Sequence, residues 1–170
     1  MRQFGGAVRV KSEPDTGTVF QMLFKAADAT DAPTLLHHTT GTEIFDFPLR
    51  VLLVEDEETV RKIITRQLQQ CGLTVVAAAD SATAQDAYAA DGPFDIVVSD
   101  IVMPGELQGP DLILKLRETN ENLPAILLSG YPQDAAIYGK NMHPNDVMLM
   151  KPVGREDLLA AIHMVMNPPS

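Results

Sequence analysis

The segment Arg50-Val51-Leu52-Leu53-Val54-Glu55-Asp56-Glu57-Glu58 decides the fold. Its short apolar run is typical of a strand buried on both faces, the kind found inside a parallel sheet. Four acids, Glu55 to Glu58, follow at once. Solubility accounts for most of an acidic composition. It does not account for four carboxylates placed together directly after a buried strand.

Downstream the pattern stays regular. Val60, Ile63, Ile64, Leu68 and Cys71 have helical spacing, and Gly72 is a natural stop. Leu73 to Ala77 reads as a second strand, and the Ala-rich stretch Ser81 to Ala90 as a helix ending at Gly92-Pro93. Phe94 to Ser99 is a third buried strand, Leu112 to Arg117 lies in a third helix, and Pro124 to Ser129 forms a fourth strand. Pro132 to Lys140 has the composition of a weak helix. Val147 to Met150 is a fifth, short strand, and Glu156 to Met166 is a closing helix with an apolar stripe of Leu158, Leu159, Ile162, Val165 and Met166. Strands alternating with helices predict an α/β domain with a five-stranded parallel, doubly wound sheet. Its site should lie at the carboxyl ends of the strands.

Upstream the texture changes. Residues 25–48 carry Ala-Asp-Ala-Thr-Asp-Ala-Pro at 27–33, then His37, His38 and three threonines, without helical or strand period. They read as a linker. Two adjacent histidines without partners at ligand spacing are more often solvated than metal-bound. Of the formal net charge of −10, residues 1–48 contribute four basic and six acidic side chains, and residues 49–170 nine basic and seventeen acidic. No basic cluster suited to nucleic-acid phosphates is present. One cysteine, Cys71, excludes an internal disulfide framework. No apolar run approaches the roughly 20 residues that span a bilayer, so the expected setting is cytoplasmic.

The chemistry-bearing residues fall at strand ends. Glu55 and Asp56 follow the first strand, Asp100 the third, Ser129 the fourth and Lys151 the fifth, at separations of 44 from Asp56 to Asp100, 29 to Ser129 and 22 to Lys151. A parallel sheet brings all five to one edge. Three carboxylates without a counter-charge repel, and a hard divalent cation such as Mg²⁺ relieves this with oxygen ligands. Lys151 supplies a point charge for a phosphoryl oxygen and Ser129 a hydroxyl donor. Asp100 is then a carboxylate nucleophile able to form an acyl phosphate. Any one acid at a strand end is usually a turn residue or helix cap; five at successive strand ends are poorly explained that way.

In this order and spacing, Val-Glu-Asp-Glu at 54–57, Ser-Asp-Ile-Val-Met-Pro-Gly at 99–105, Leu-Ser-Gly-Tyr at 128–131 and Met-Lys-Pro at 150–152 strongly resemble the receiver domain of two-component response regulators, over about 49–167. The resemblance implies a flavodoxin-like receiver fold. It implies phosphorylation of Asp100, and Mg²⁺ held by Glu55, Asp56, Asp100 and the backbone carbonyl of Val102. It further implies phosphoryl contacts from Ser129 and Lys151, and a cis Lys151–Pro152 bond. The donor would be a kinase phosphohistidine, and the product would hydrolyse slowly. Many receivers carry Tyr or Phe three residues before the lysine, where this chain has Met148, so an aromatic switch is in doubt while phosphotransfer is not. Tyr131 is a loop candidate for tuning water access to the acyl phosphate, or an ordinary packed loop aromatic.

Residues 1–24 hold a second resemblance. Gly5-Gly6-Ala7-Val8-Arg9-Val10-Lys11-Ser12-Glu13-Pro14, then Gly17-Thr18-Val19-Phe20, is similar to the last hairpin of a histidine-kinase ATP-binding domain. Physically it is two alternating strands about a Pro-Asp-Thr-Gly turn, marginal alone and expected to be poorly anchored or to pair opportunistically. The expected organisation is a partial ATP-binding domain at 1–24, a linker at 25–48 and a receiver at 49–170, the C-terminal end of a hybrid histidine kinase. Without the kinase's remaining motifs, this chain is expected neither to bind ATP nor to phosphorylate a histidine, any membrane anchor belonging to the parent kinase. Its expected partners are a histidine kinase or histidine phosphotransfer domain. Alternatives are an interaction-only module without phosphorylation, and a flavodoxin-like cofactor binder or small phosphatase. The last would need a phosphate-binding loop where this sequence has four acids.

Overall fold

The computed structural model describes residues 7–13, 17–23, 49–131, 133–134, 138 and 142–167. The linker with His37 and His38, most of the turn of the N-terminal hairpin and most of the weak helix expected over Pro132 to Lys140 lie outside them. Two units are present, Met1–Gly41 and Thr42–Ser170.

In the first unit, β1 (Ala7–Glu13) pairs antiparallel with β2 (Gly17–Leu23), Val10 opposite Phe20 and Ser12 opposite Thr18. The hairpin expected from the alternating pattern is therefore present, with a hydroxyl pair, Ser12 Oγ to Thr18 Oγ1 at 2.8 Å, near its turn. Gly17 at φ +109° takes the backbone conformation that side chains disfavour.

In the second unit the elements run β3 (Arg50–Val54), α1 (Glu58–Gln69), β4 (Thr74–Ala78), α2 (Ser81–Asp91), β5 (Ile96–Asp100), α3 (Gly109–Arg117), β6 (Ala125–Ser129), β7 (Asp146–Met150) and α4 (Arg155–Met166). The sheet is parallel throughout, in the order β4-β3-β5-β6-β7. Strands β5 and β6 are buried at every residue, and β3 at all but its first, because helices cover both faces. Alternate residues of each strand feed two cores. Val51, Leu53, Ile96, Val98, Ile126 and Leu128 meet α1 and α4 through Ile64, Leu68, Leu158 and Ile162. Leu52, Val54, Val97, Ala125 and Leu127 meet α2 and α3 through Ala84, Leu112, Ile113 and Leu116. Fully burying such a side chain contributes about 1.5–3 kcal/mol, so these two layers hold the sheet rigid beneath its loops.

Two helix ends are set locally. Asp80 caps α2, its side chain accepting the Thr83 N–H at 2.8 Å while its own N–H donates to Thr83 Oγ1. α3 starts three residues before its apolar period does, because Pro110 fits the first turn of a helix without a missing bond. After β3 the chain passes to β4 on one side and then to β5 on the other. The crevice between β3 and β5, at their carboxyl ends, is thus the point where the winding reverses.

Candidate functional site

Three carboxylates gather at that crevice. Glu55 follows β3 directly, Asp56 comes next, and Asp100 is the last residue of β5. One oxygen from each lies within 4.8 Å of the others, so the group could hold a metal ion. Glu55 and Asp100 are buried while Asp56 is open to solvent. That gradient gives a cation two fixed ligands and an entry side.

Lys151, the first residue after β7, bridges the buried pair. Its Nζ donates to Glu55 Oε2 at 2.6 Å and to Asp100 Oδ2 at 2.7 Å. Burial pushes the Glu55 carboxyl above its ordinary value, and the charge of Asp100 adds to this, against the opposing pull of Lys151. Burial also works against the charge on Lys151, but its hydrogen bonds to Asp100 and Glu55 outweigh that and hold the ammonium above its usual range. The backbone fixes these positions. Glu55 N–H bonds the Ala78 carbonyl at 3.2 Å, Ile101 N–H the Leu128 carbonyl at 2.9 Å, and Lys151 N–H the Ser129 carbonyl at 2.7 Å, each extending the ladder past a strand end. The Lys151–Pro152 bond is cis.

Ser129 ends β6, fully buried, beside the end of β5. Among the described residues its hydroxyl's partners lie in the loop that follows: the Tyr131 carbonyl at 2.7 Å, Asp134 Oδ2 at 3.0 Å, and the Tyr131 N–H, which it accepts at 3.2 Å. Val102 sits in the β5–α3 loop with its side chain exposed. Tyr131 is 69% exposed, which removes the packed-aromatic reading. Met148, on β7 opposite Leu127 of β6, packs half-buried against the second core.

Three supporting contacts were not read from the sequence. Arg61, in the first turn of α1, donates from Nη1 to the carbonyls of Glu55 at 2.7 Å and Asp56 at 3.0 Å, tying down the acidic turn. Helical side chains lean toward the N-terminus of their helix, so an Arg in a first turn could have been suspected of reaching back. Gln108 clamps the β5–α3 loop, its amide accepting the Met103 N–H at 3.1 Å and donating to the Met103 carbonyl at 2.9 Å. Gly109 lets α3 press on Asp100 itself: a Cβ there would lie 2.0 Å from the Asp100 carbonyl oxygen.

The arrangement is a buried carboxylate with a lysine at one oxygen and a metal-competent acidic group beside it, which suits attack on a phosphorus centre. Comparison with known proteins agrees. The model of the response regulator receiver domain family matches residues 51–163. The sensor kinase CckA of Brucella abortus is 36% identical over 172 aligned positions, covering 95% of this chain and 18% of the kinase. The response regulator MprA of Mycolicibacterium vanbaalenii is 34% identical over 121 positions, covering 71% of this chain and 51% of the regulator. The chain thus spans only part of the curated relatives it matches. Among solved structures, a response regulator receiver protein from Sinorhizobium medicae superposes with a TM-score of 0.65 at 26% identity over 71% of this chain and 96% of that one. The receiver domain of the hybrid histidine kinase CckA gives 0.56 at 31% identity over 69% and 99%. Among the described residues no helix is long and apolar enough to cross a membrane.

Proposed function

Because the chain belongs to the response regulator receiver domain family, we propose that Asp100 takes a phosphoryl group from a phosphohistidine on a histidine kinase or phosphotransfer domain. The observation that carries this is the Lys151 bridge to Asp100 Oδ2 at 2.7 Å beside the grouped carboxylates. An Asp100 oxygen attacks phosphorus, the O–P bond forms as the P–N bond breaks, and the electron pair returns to the donor imidazole. Lys151 keeps its contact with the growing anion, and Ser129 turns its hydroxyl toward another phosphoryl oxygen. Mg²⁺, when held by Glu55, Asp56, Asp100 and the Val102 carbonyl, supplies positive charge beside the incoming group. The chain acts on itself alone, and slow hydrolysis of the acyl phosphate resets it.

Similarity to the Brucella sensor kinase over 95% of the chain, hairpin included, supports a wider reading. Residues 1–24 belong to a kinase ATP-binding domain, 25–48 link, and 49–170 receive, as part of a hybrid kinase working in the cytoplasm. The test is incubation with acetyl phosphate and Mg²⁺ followed by intact-mass measurement. One phosphoryl group per chain is expected, lost in Asp100→Asn. No adduct on the unaltered chain, or an adduct that survives Asp100→Asn, sinks the reading.

A further inference from the structure

Ser129 has one hydroxyl proton, and acceptors compete for it. The Tyr131 carbonyl oxygen lies 2.7 Å from its Oγ and Asp134 Oδ2 lies 3.0 Å away. Asp134 is held there by its own backbone, its N–H donating to the Tyr131 carbonyl at 3.1 Å. Ser129 is 0% exposed, so solvent is not at hand to replace a partner it loses. An acyl phosphate on Asp100 would bring a second set of anionic oxygens to the neighbouring strand end. Hydrogen bonds to charged acceptors are the strong ones, and both the phosphoryl group and the Asp134 carboxylate are charged.

We propose that Asp134 is a positioning residue: it holds the Ser129 hydroxyl in the unphosphorylated chain and competes with the phosphoryl group for the hydroxyl proton. This rests on the phosphoacceptor reading above. Asp134 then sets how readily the site passes to its phosphorylated arrangement, since a contact made in only one of two states shifts the balance between them.

The test is the affinity of the full chain for beryllofluoride, a phosphoryl mimic, in the presence of Mg²⁺, by isothermal titration. Asp134→Ala should tighten binding roughly three- to tenfold, the scale of one hydrogen bond. Asp134→Asn keeps an acceptor but loses the charge, and should gain less. Should the alanine variant fail to fold, the asparagine variant carries the test with a gain of about twofold. In a Ser129→Ala background the same changes should have no effect, because the contested proton is gone. Unchanged or weaker binding in the Asp134 variants overturns the proposal. So does an equal gain without Ser129, which would mean that Asp134 acts only through its charge. If the unaltered chain does not bind beryllofluoride at all, the phosphoacceptor reading itself fails, and the proposal with it.

Discussion

Gly109 shows how closely single residues are fitted around Asp100. A methyl group there would meet the Asp100 carbonyl oxygen at 2.0 Å and Ser99 Oγ at 3.0 Å, and neither can retreat within a fully buried strand. Gly109→Ala should therefore lower stability by about 2–3 kcal/mol and slow phosphoryl labelling of Asp100. Gly130→Ala is the comparison, because a Cβ there meets nothing within 4 Å and should shift stability by less than about 0.5 kcal/mol. Urea denaturation of the two variants decides it, and equal stabilities would contradict the close fit. Glu55 carries a pH consequence. Its carboxyl is raised above 4.5 by burial and by Asp100, so the folded chain holds that proton to a higher pH than the unfolded chain does. Its contribution to stability accordingly falls as pH rises through that window. A metal needs the carboxylate, so Mg²⁺ affinity should weaken as pH is lowered toward 4.5, before an ordinary glutamate would protonate. Titrations at several pH values test this, and affinity that stays level down to 4.5 would refute it. Lys151 has the same sign in a higher window: the stability its raised value contributes is present in full below 10.5 and is lost as pH climbs through that raised value.

The elements hold the site through contacts at their ends. Arg61 joins the first turn of α1 to the carbonyls of Glu55 and Asp56 and so orients the turn that carries two of the metal-competent carboxylates. Arg61→Ala should weaken Mg²⁺ binding about tenfold while leaving the fold in place, as loss of a group supporting metal ligands does. Arg61→Lys should recover part of it. Mg²⁺ titration with circular dichroism separates the two effects, and unchanged affinity would remove Arg61 from this role. α3 and β7 are joined by the buried Arg117–Asp146 ion pair, with Arg117 also donating to the Leu123 carbonyl at 2.7 Å. Asp146→Ala would strand that guanidinium and should cost about 3–5 kcal/mol in urea unfolding. Strands of this kind were legible in the sequence because burial on both faces removes alternation and leaves plain apolar runs, Val51 to Val54 and Ile126 to Leu128 among them. Strand ends were legible for the same reason, and with them Glu55, Asp56, Asp100, Ser129 and Lys151. The start of α3 was not, because Gly109 and Pro110 have no apolar period. The reach of Arg61, the clamp by Gln108 and the bond from Ser129 to Asp134 depend on where loops fold back, which periodicity does not encode.

At the scale of the whole molecule the two units differ in what they bury. Every buried residue of the two described core clusters lies at or beyond Leu49. The hairpin exposes Val8, Val10, Val19 and Phe20, each at 47% or more. Two strands alone are marginal in water, whereas five strands covered on both faces are enough for independent stability. A fragment comprising residues 49–170 should therefore unfold in one cooperative transition with a Tm within about 2 °C of the full chain, a shift corresponding to only a few tenths of a kcal/mol for a domain of this size. It should also take up phosphoryl from acetyl phosphate at an unchanged rate, because Glu55, Asp56, Asp100, Ser129 and Lys151 and all their described partners are retained. Differential scanning calorimetry and timed intact-mass measurements on both proteins test the two halves of this statement. A fall in Tm of more than about 5 °C, which for such a domain corresponds to roughly 1 kcal/mol or more, would show that residues before 49 help to stabilise the receiver. A changed labelling rate at equal Tm would instead show that they act on the site, and either outcome would overturn the division at residue 49.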